Sequence, residues 1–203
     1  MFAHDSVEQP VADSGVKEYE DILKSGKVYM ASTNKGHKVH VWVPPPNGEK
    51  AQKYFCHGDA LGTFVNFGYS VFSEDVSTVL QDEHVPLAQH QFSCGPFLSS
   101  EEAALQTCLD GAELNGVIAW HDSNGMVGHS ARIVTLLPKG QRTLDQVMVV
   151  SKNGLLDPPR IGSIRQVSDL YASKLKLTKI SFWSPSTLSW KEYFSSWGSW
   201  LSN

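Results

Sequence analysis

Cysteine is scarce in this chain. Three occur, Cys56, Cys94 and Cys108, an odd and small number that does not describe a disulfide scaffold. No CxxC pair exists, so a structural zinc site of the usual spacing is not expected. Basic runs are also missing. Lys and Arg total 17 against 21 Asp and Glu, a net charge of −4, and phosphate binding needs clustered cations, so no nucleic-acid partner is expected. No apolar stretch approaches the roughly 20 residues that span a bilayer, which excludes a transmembrane helix from the reading. The opening MFAHDSVEQP has neither a basic region nor an apolar stretch after it. No signal peptide is therefore expected, and the protein is read as made in the cytoplasm. Internal repeats, low-complexity tracts and any cofactor signature are absent from the reading.

What is present suits one folded core. The 203 residues are 41% hydrophobic and include six Trp and nine Phe, with 19% charged residues. That composition argues against disorder and for a single domain of ordinary size. Residues 1–15 read as a loose polar terminus. VKEYEDILKSG (16–26) has a helical stripe ending at Gly26. KVYMAS and KVHVWV read as two strands around the turn TNKG. Ala60, Leu61, Phe64 and Val65 predict a helix, which Gly68 can end. A second short helix follows, with Ser73 as its cap, Glu74 and Asp75 in its first turn, and Val76, Val79 and Leu80 on its buried face. Residues 83–98 read as a loop. SSEEAALQTCLDGAEL is a third helix with capping-box spacing at Ser99 and Glu102 and Gly111 just past its end. GVIAWHDSNGMVGHSARIVTLL then reads as a hairpin with Asn124-Gly125 as a type I′ turn, and TLDQVMVVSKNG as a third strand. Residues 158–203 read as an aromatic-rich extension packed on the core, with a helical stripe at Trp190, Phe194, Trp197 and Leu201. Helices first and a strand meander after them imply an α+β domain with an antiparallel sheet.

The stretch YFCHGDALGTF (54–64) carries the chemistry. A thiol attacks as thiolate, and a free thiol has little of it at neutral pH. Cys56 precedes a predicted helix, so first-turn N–H groups can point at its sulfur, lower its pKa and later hold an oxyanion. Gly58 permits close backbone approach there. His57 is adjacent but leaves a helix about 100° away, which makes it a poor base for Cys56. His129 in GHSARIV is the better base. With Asn124 and Gly125 in the turn, Trp120 sits opposite His129 on the same face, where an indole would exclude water and hold the ring. A third polar group would orient it, and Ser151 or Asn153 at the end of the next strand is the place to look. Tyr54 is a supporting residue beside the thiol. Set against all this is the plainer reading of a buried thiol and a packing histidine.

CHGDAL followed by GHSARIVTL resembles the papain-like cysteine hydrolases of the NlpC/P60 and CHAP type, over about residues 50–155. The resemblance implies a Cys-bearing helix packed on an antiparallel sheet, His on the next strand and a polar third residue on the strand after that. The family's Cys-Ser-Gly becomes Cys56-His57-Gly58, and the separation of Cys and His is long (129 − 56 = 73). It further implies cleavage of peptidoglycan stem peptides or amides. Small members without signal peptides act as antibacterial toxins of type VI secretion, with a secretion carrier, an immunity protein and a target-cell periplasm as the implied partners and place of action. The alternatives are a non-catalytic interaction module of papain-like fold and an acyl or peptide transferase using the same thiol.

Other histidines read as structural. His37 and His40 fall on opposite strand faces, which disfavours joint metal ligation. His84 and His90 lie in the expected loop near Asp82 and Glu83, and no metal is assigned to them. His121 and Asp122 read as turn chemistry. Cys108, with Ala104 and Leu105, reads as helix core, and Cys94 as loop-borne.

Overall fold

A computed structural model describes residues 25–45, 55–63, 68–91, 99–153 and 157–185. Residues 16–24 of the predicted helix at 16–26 and the stripe at 190–201 lie outside them, as do Tyr54 and Cys94. The first two strands form where the segments around TNKG put them. β1 (Lys27–Ser32) and β2 (Lys38–Val43) pair antiparallel, Met30 opposite His40. β3 (Ser70–Val71) joins the far side of β2 to complete a small sheet. Between β2 and β3 lies α1 (Cys56–Ala60), and α2 (Ser73–Glu83) follows. Val76, Val79 and Leu80 of α2 are buried as expected. Its cap is Phe72 without a side-chain bond, not Ser73. Asp75 instead accepts hydrogen bonds from His40.

The main sheet has six antiparallel strands in the order β4-β9-β5-β6-β7-β8. They are β4 (Pro86–Gln91), β5 (Val117–His121), β6 (Val127–Thr135), β7 (Met148–Ser151), β8 (Arg160–Ser163) and β9 (Lys179–Trp183). The expected loop at 83–98 thus contains a strand. The segment after Pro158, expected as an extension, supplies β8, a helix and β9, which lies between β4 and β5 inside the sheet. Helix α3 (Ser99–Gly111) ends on Gly111 rather than before it, and it buries Leu105 and Cys108 while Ala104 is exposed. Helix α4 (Ile164–Leu175) opens with a full capping box, Ser163 with Gln166.

All five residues of β5 are buried, the signature of a strand covered on both faces. Side chains alternate across a strand, so β5 feeds two cores. Ile118 and Trp120 pack with Leu105, Leu109, Ile133, Tyr171 and Phe182 under α3 and α4. Val117 and Ala119 pack with Leu80, Val41 and Val71 on the side of the small sheet and α1. The domain is α+β, with antiparallel sheets and four helices among the described residues. None of these helices is long and apolar enough to cross a membrane.

The hairpin turn differs in detail from the expectation. Gly125 has φ 85°, but Asn124 is not in the left-handed region that a type I′ turn needs. Asp122 N–H and Gly125 N–H bond to the carbonyls of Met126 and Asp122, and the Asp122 carboxylate accepts from the N–H of Asn124 and Met126. A bulge between Trp120 and His121 then restores the register, so Trp120 faces His129 as the shorter turn would have placed it.

Candidate active site

Cys56 is the first residue of α1, after an extended Phe55. The helix packs chiefly on β6 and also meets β3 and β7. Backbone N–H groups of Ser130, His57 and Cys56 itself act on the sulfur, as does the Lys152 charge. Gly58 is not among them: it is buried, and its N–H donates to Phe55 O at 3.1 Å, closing the first turn. The residue keeps some exposed surface. Burial of the sulfur nevertheless outweighs these favourable groups and pushes the thiol up to about 11. The expectation of a lowered thiol pKa is corrected on that point. Donors converge on the sulfur, but loss of water costs the thiolate more than they return.

His57 turns away from the sulfur. Its Nδ1 meets Ser130 Oγ at 2.8 Å and its Nε2 meets Ser73 Oγ at 3.0 Å, tying α1 to β6 and α2. Burial lowers its pKa to about 4, so it is neutral at physiological pH.

His129 follows a different logic. Its Nε2 lies 2.8 Å from Ser151 Oγ. Ser151 spends its own hydrogen on Asn153 Oδ1 at 3.3 Å, and Tyr171 OH donates to that same oxygen at 3.4 Å. An amide oxygen can only accept. The direction of the chain is thereby set: Ser151 accepts from His129 Nε2–H, and Nδ1 carries the lone pair. Among the described residues Nδ1 has no hydrogen-bond partner. The ring stacks on Tyr171, centroids 3.8 Å apart at 17°, with Trp120 at 5.5 Å and 43°. Trp120 is held in turn by its Nε1–H to Ser168 Oγ at 2.9 Å. Burial, aided by the nearby His57, holds His129 well below the usual imidazole range, so the lone pair stays free at neutral pH.

Consecutive residues of a strand leave opposite faces. Ser130 faces α1 and meets His57, and His129 faces α4 and meets Tyr171. The Cys56 sulfur reaches the backbone between them, at Ser130 N–H. The imidazole therefore leaves β6 on the α4 side while the thiol lies on the α1 side, at the neighbouring backbone N–H, and no Cys56–His129 hydrogen bond forms among the described residues.

No family model, no curated protein and no solved structure matches this chain. What the site can do must therefore be read from its own residues.

Three groups escaped the sequence reading. Tyr171 sits on α4, whose stripe of Ile164, Val167, Tyr171 and Ala172 and whose Ser-x-x-Gln start were both legible. Asp59, one turn after Cys56, is buried, and its Oδ2 has no hydrogen-bond partner among the described residues. Burial raises its carboxyl pKa against the pull of Arg132 and Lys152. Lys152 lies between the two residues named as third-member candidates, and nothing in a lone lysine announces burial. Four other histidines are held locally. His37 bonds to Asp82 and His40 to Asp75, on separate acids. His84 meets Ser184 O, and His121 meets Gly125 O and Ser181 Oγ. Cys108 approaches Gln89 O, and burial raises its thiol pKa.

Proposed function

We propose that the protein is a cysteine amidase or endopeptidase of papain-like type, with Cys56 as nucleophile and His129 as general base. The observation that carries this reading is the one-way chain Asn153–Ser151–His129. It leaves a basic Nδ1 on the residue beside the one whose N–H meets the Cys56 sulfur. His129 Nδ1 accepts the thiol proton as sulfur attacks an amide carbonyl carbon. Because thiol and imidazole both start neutral, the proton moves with the attack and not before it. The N–H groups of Cys56, His57 and Ser130 stabilise charge first on sulfur and then on the carbonyl oxygen, an effect of about 3–4 kcal/mol for one well-placed donor. The imidazolium protonates the leaving amine. The same nitrogen then takes a proton from water, which releases the acyl group and frees the thiol.

The resemblance of CHGDAL and GHSARIVTL to NlpC/P60 and CHAP hydrolases supports a papain-like fold and a peptidoglycan peptide as substrate. Delivery by a dedicated secretion machine into a target-cell periplasm, with a carrier and an immunity protein, belongs to the same proposal. One observation favours a second reading, a non-catalytic interaction module. A thiol with a pKa near 11 is almost wholly protonated at neutral pH.

Purified peptidoglycan separates the two. The wild-type protein is expected to release new amino groups, read by mass spectrometry of the fragments. Cys56→Ala abolishes release with an unchanged melting curve, and His129→Ala lowers it about 10²–10⁴-fold. Intact peptidoglycan and peptide substrates with wild type would leave the binding module, and full activity in Cys56→Ala would overturn Cys56 as the nucleophile.

A further inference from the structure

Lys152 is 1% exposed, and its Nζ donates to Asp157 O. In the β6–β7 ladder Ala131 faces Ser151. Continuing that register by one residue sets Lys152 level with Ser130, whose N–H meets the Cys56 sulfur. Ser151 sends its hydroxyl to His129, on the α4 face. Alternation therefore directs Lys152 to the opposite face, where α1 carries Cys56 and Asp59. Electrostatics agree with that placement. The Lys152 charge favours ionisation of both Cys56 and Asp59, and those groups act back on it. Burial lowers the lysine to about 8, which leaves it mostly protonated at neutral pH. An ammonium is strongly disfavoured in such a place unless it meets opposite charge.

We infer that Lys152 is the counter-charge of the Cys56 thiolate, a positioning residue that sets the electrostatic potential at the sulfur. The inference rests on the nucleophilic role proposed for Cys56. The titratable and charged groups around the pair are His57 and Asp59 in α1, His129 and Arg132 on β6, and Asp157 beyond β7. Asp157 is the opposite charge that acts most on the ammonium, ahead of Cys56 and Asp59, so Lys152 is shared between two carboxylates and a sulfur.

Alkylation of the full chain tests this. Cys56 labelling is followed by peptide mass spectrometry from neutral to alkaline pH in wild type, Lys152→Met and Lys152→Arg. Lys152→Met should move the reactivity profile of Cys56 upward by about one pH unit, roughly tenfold slower at neutral pH, and Lys152→Arg should recover most of the loss. The ratio of iodoacetate to iodoacetamide rates should fall in Lys152→Met, since only the first reagent is anionic. A folded Lys152→Met with an unchanged profile and ratio overturns the inference. Should that variant not fold, the wild type decides. Its Cys56 ratio must exceed that of glutathione, and an equal or lower ratio overturns the inference. Lysine-dependent labelling without hydrolysis would sink only the hydrolase reading. Cys56-dependent hydrolysis with lysine-independent labelling would sink only the role of Lys152.

Discussion

A histidine sealed from water loses the solvation that a second proton's charge requires. His57 is such a residue, and its pKa of about 4 lies below the 6.5 of an exposed imidazole. Between those values the unfolded chain binds a proton that the folded chain refuses. Stability from this group is therefore complete above pH 6.5 and is lost as pH falls towards 4, by up to about 3 kcal/mol. His129 is shifted in the same direction and adds to the trend. Chemical denaturation in the neutral and acid ranges checks the size. Replacing His57 with Gln, which keeps hydrogen-bonding groups but cannot titrate there, should flatten the difference between the two ranges. An acid-induced loss as large in His57→Gln as in wild type would show that the carboxylates alone cause it. The two histidines also illustrate how identical side chains divide in role. His57 has both nitrogens engaged, while His129 has one nitrogen engaged and one carrying a free lone pair.

Element by element, stability depends on ends as well as faces. Ser163 accepts from Gln166 N–H at 3.2 Å, and the Gln166 side chain accepts from Ser163 N–H at 2.9 Å. This box starts α4, which carries both Tyr171 against His129 and Ser168 against Trp120. Ser163→Ala should cost about 1 kcal/mol of stability, measured as a shift in the denaturation midpoint. A larger cost would mean that α4 is required to hold the sheet. The far end of α3 is closed differently: Arg142 reaches across and donates to the carbonyls of Leu109, Asp110 and Ala112. The hairpin between β5 and β6 shows a third device, a glycine-containing turn followed by a bulge that restores the pairing of Trp120 with His129.

At the scale of the whole molecule, one strand holds the two cores together. β5 lies between β9 and β6 and contributes alternate residues to each face. β9 is its partner on one side, with Ile118 opposite Phe182. A chain ending at Pro158 lacks β8, α4 and β9, and so exposes an edge of β5 and loses Ile164, Val167, Tyr171, Ala172, Leu177, Ile180 and Phe182 from one core. We expect no cooperative thermal transition from it, checked by circular dichroism. A sharp, native-like melt from that fragment would restore the view of residues 158–203 as an appendage on a core at 50–155.

Local pattern was enough for much of this protein. Two β-prone segments around the turn TNKG marked β1 and β2 to the residue, the stripe of Val76, Val79 and Leu80 marked the buried face of α2, and the Asn-Gly pair marked the hairpin that sets Trp120 opposite His129. These features rest on neighbours a few residues apart, where periodicity and turn chemistry act directly. The strands β4 and β9 were not legible, because short strands owe their state to their partners, and these two pair with each other nearly a hundred positions apart; β8, four residues at the sheet edge, owes its state to β7. The sequence could also nominate Cys56, His129, Ser151 and Asn153 by type and order. Only tertiary packing decided that Ser151 takes His129 Nε2, that Asn153 stands behind it, that Tyr171 stacks on the ring, and that Lys152 is buried beside the thiol. Burial did the same for charge. It reversed the expected direction at Cys56, because the desolvation of a sulfur depends on every chain segment packed around it and not on the residues beside it in sequence.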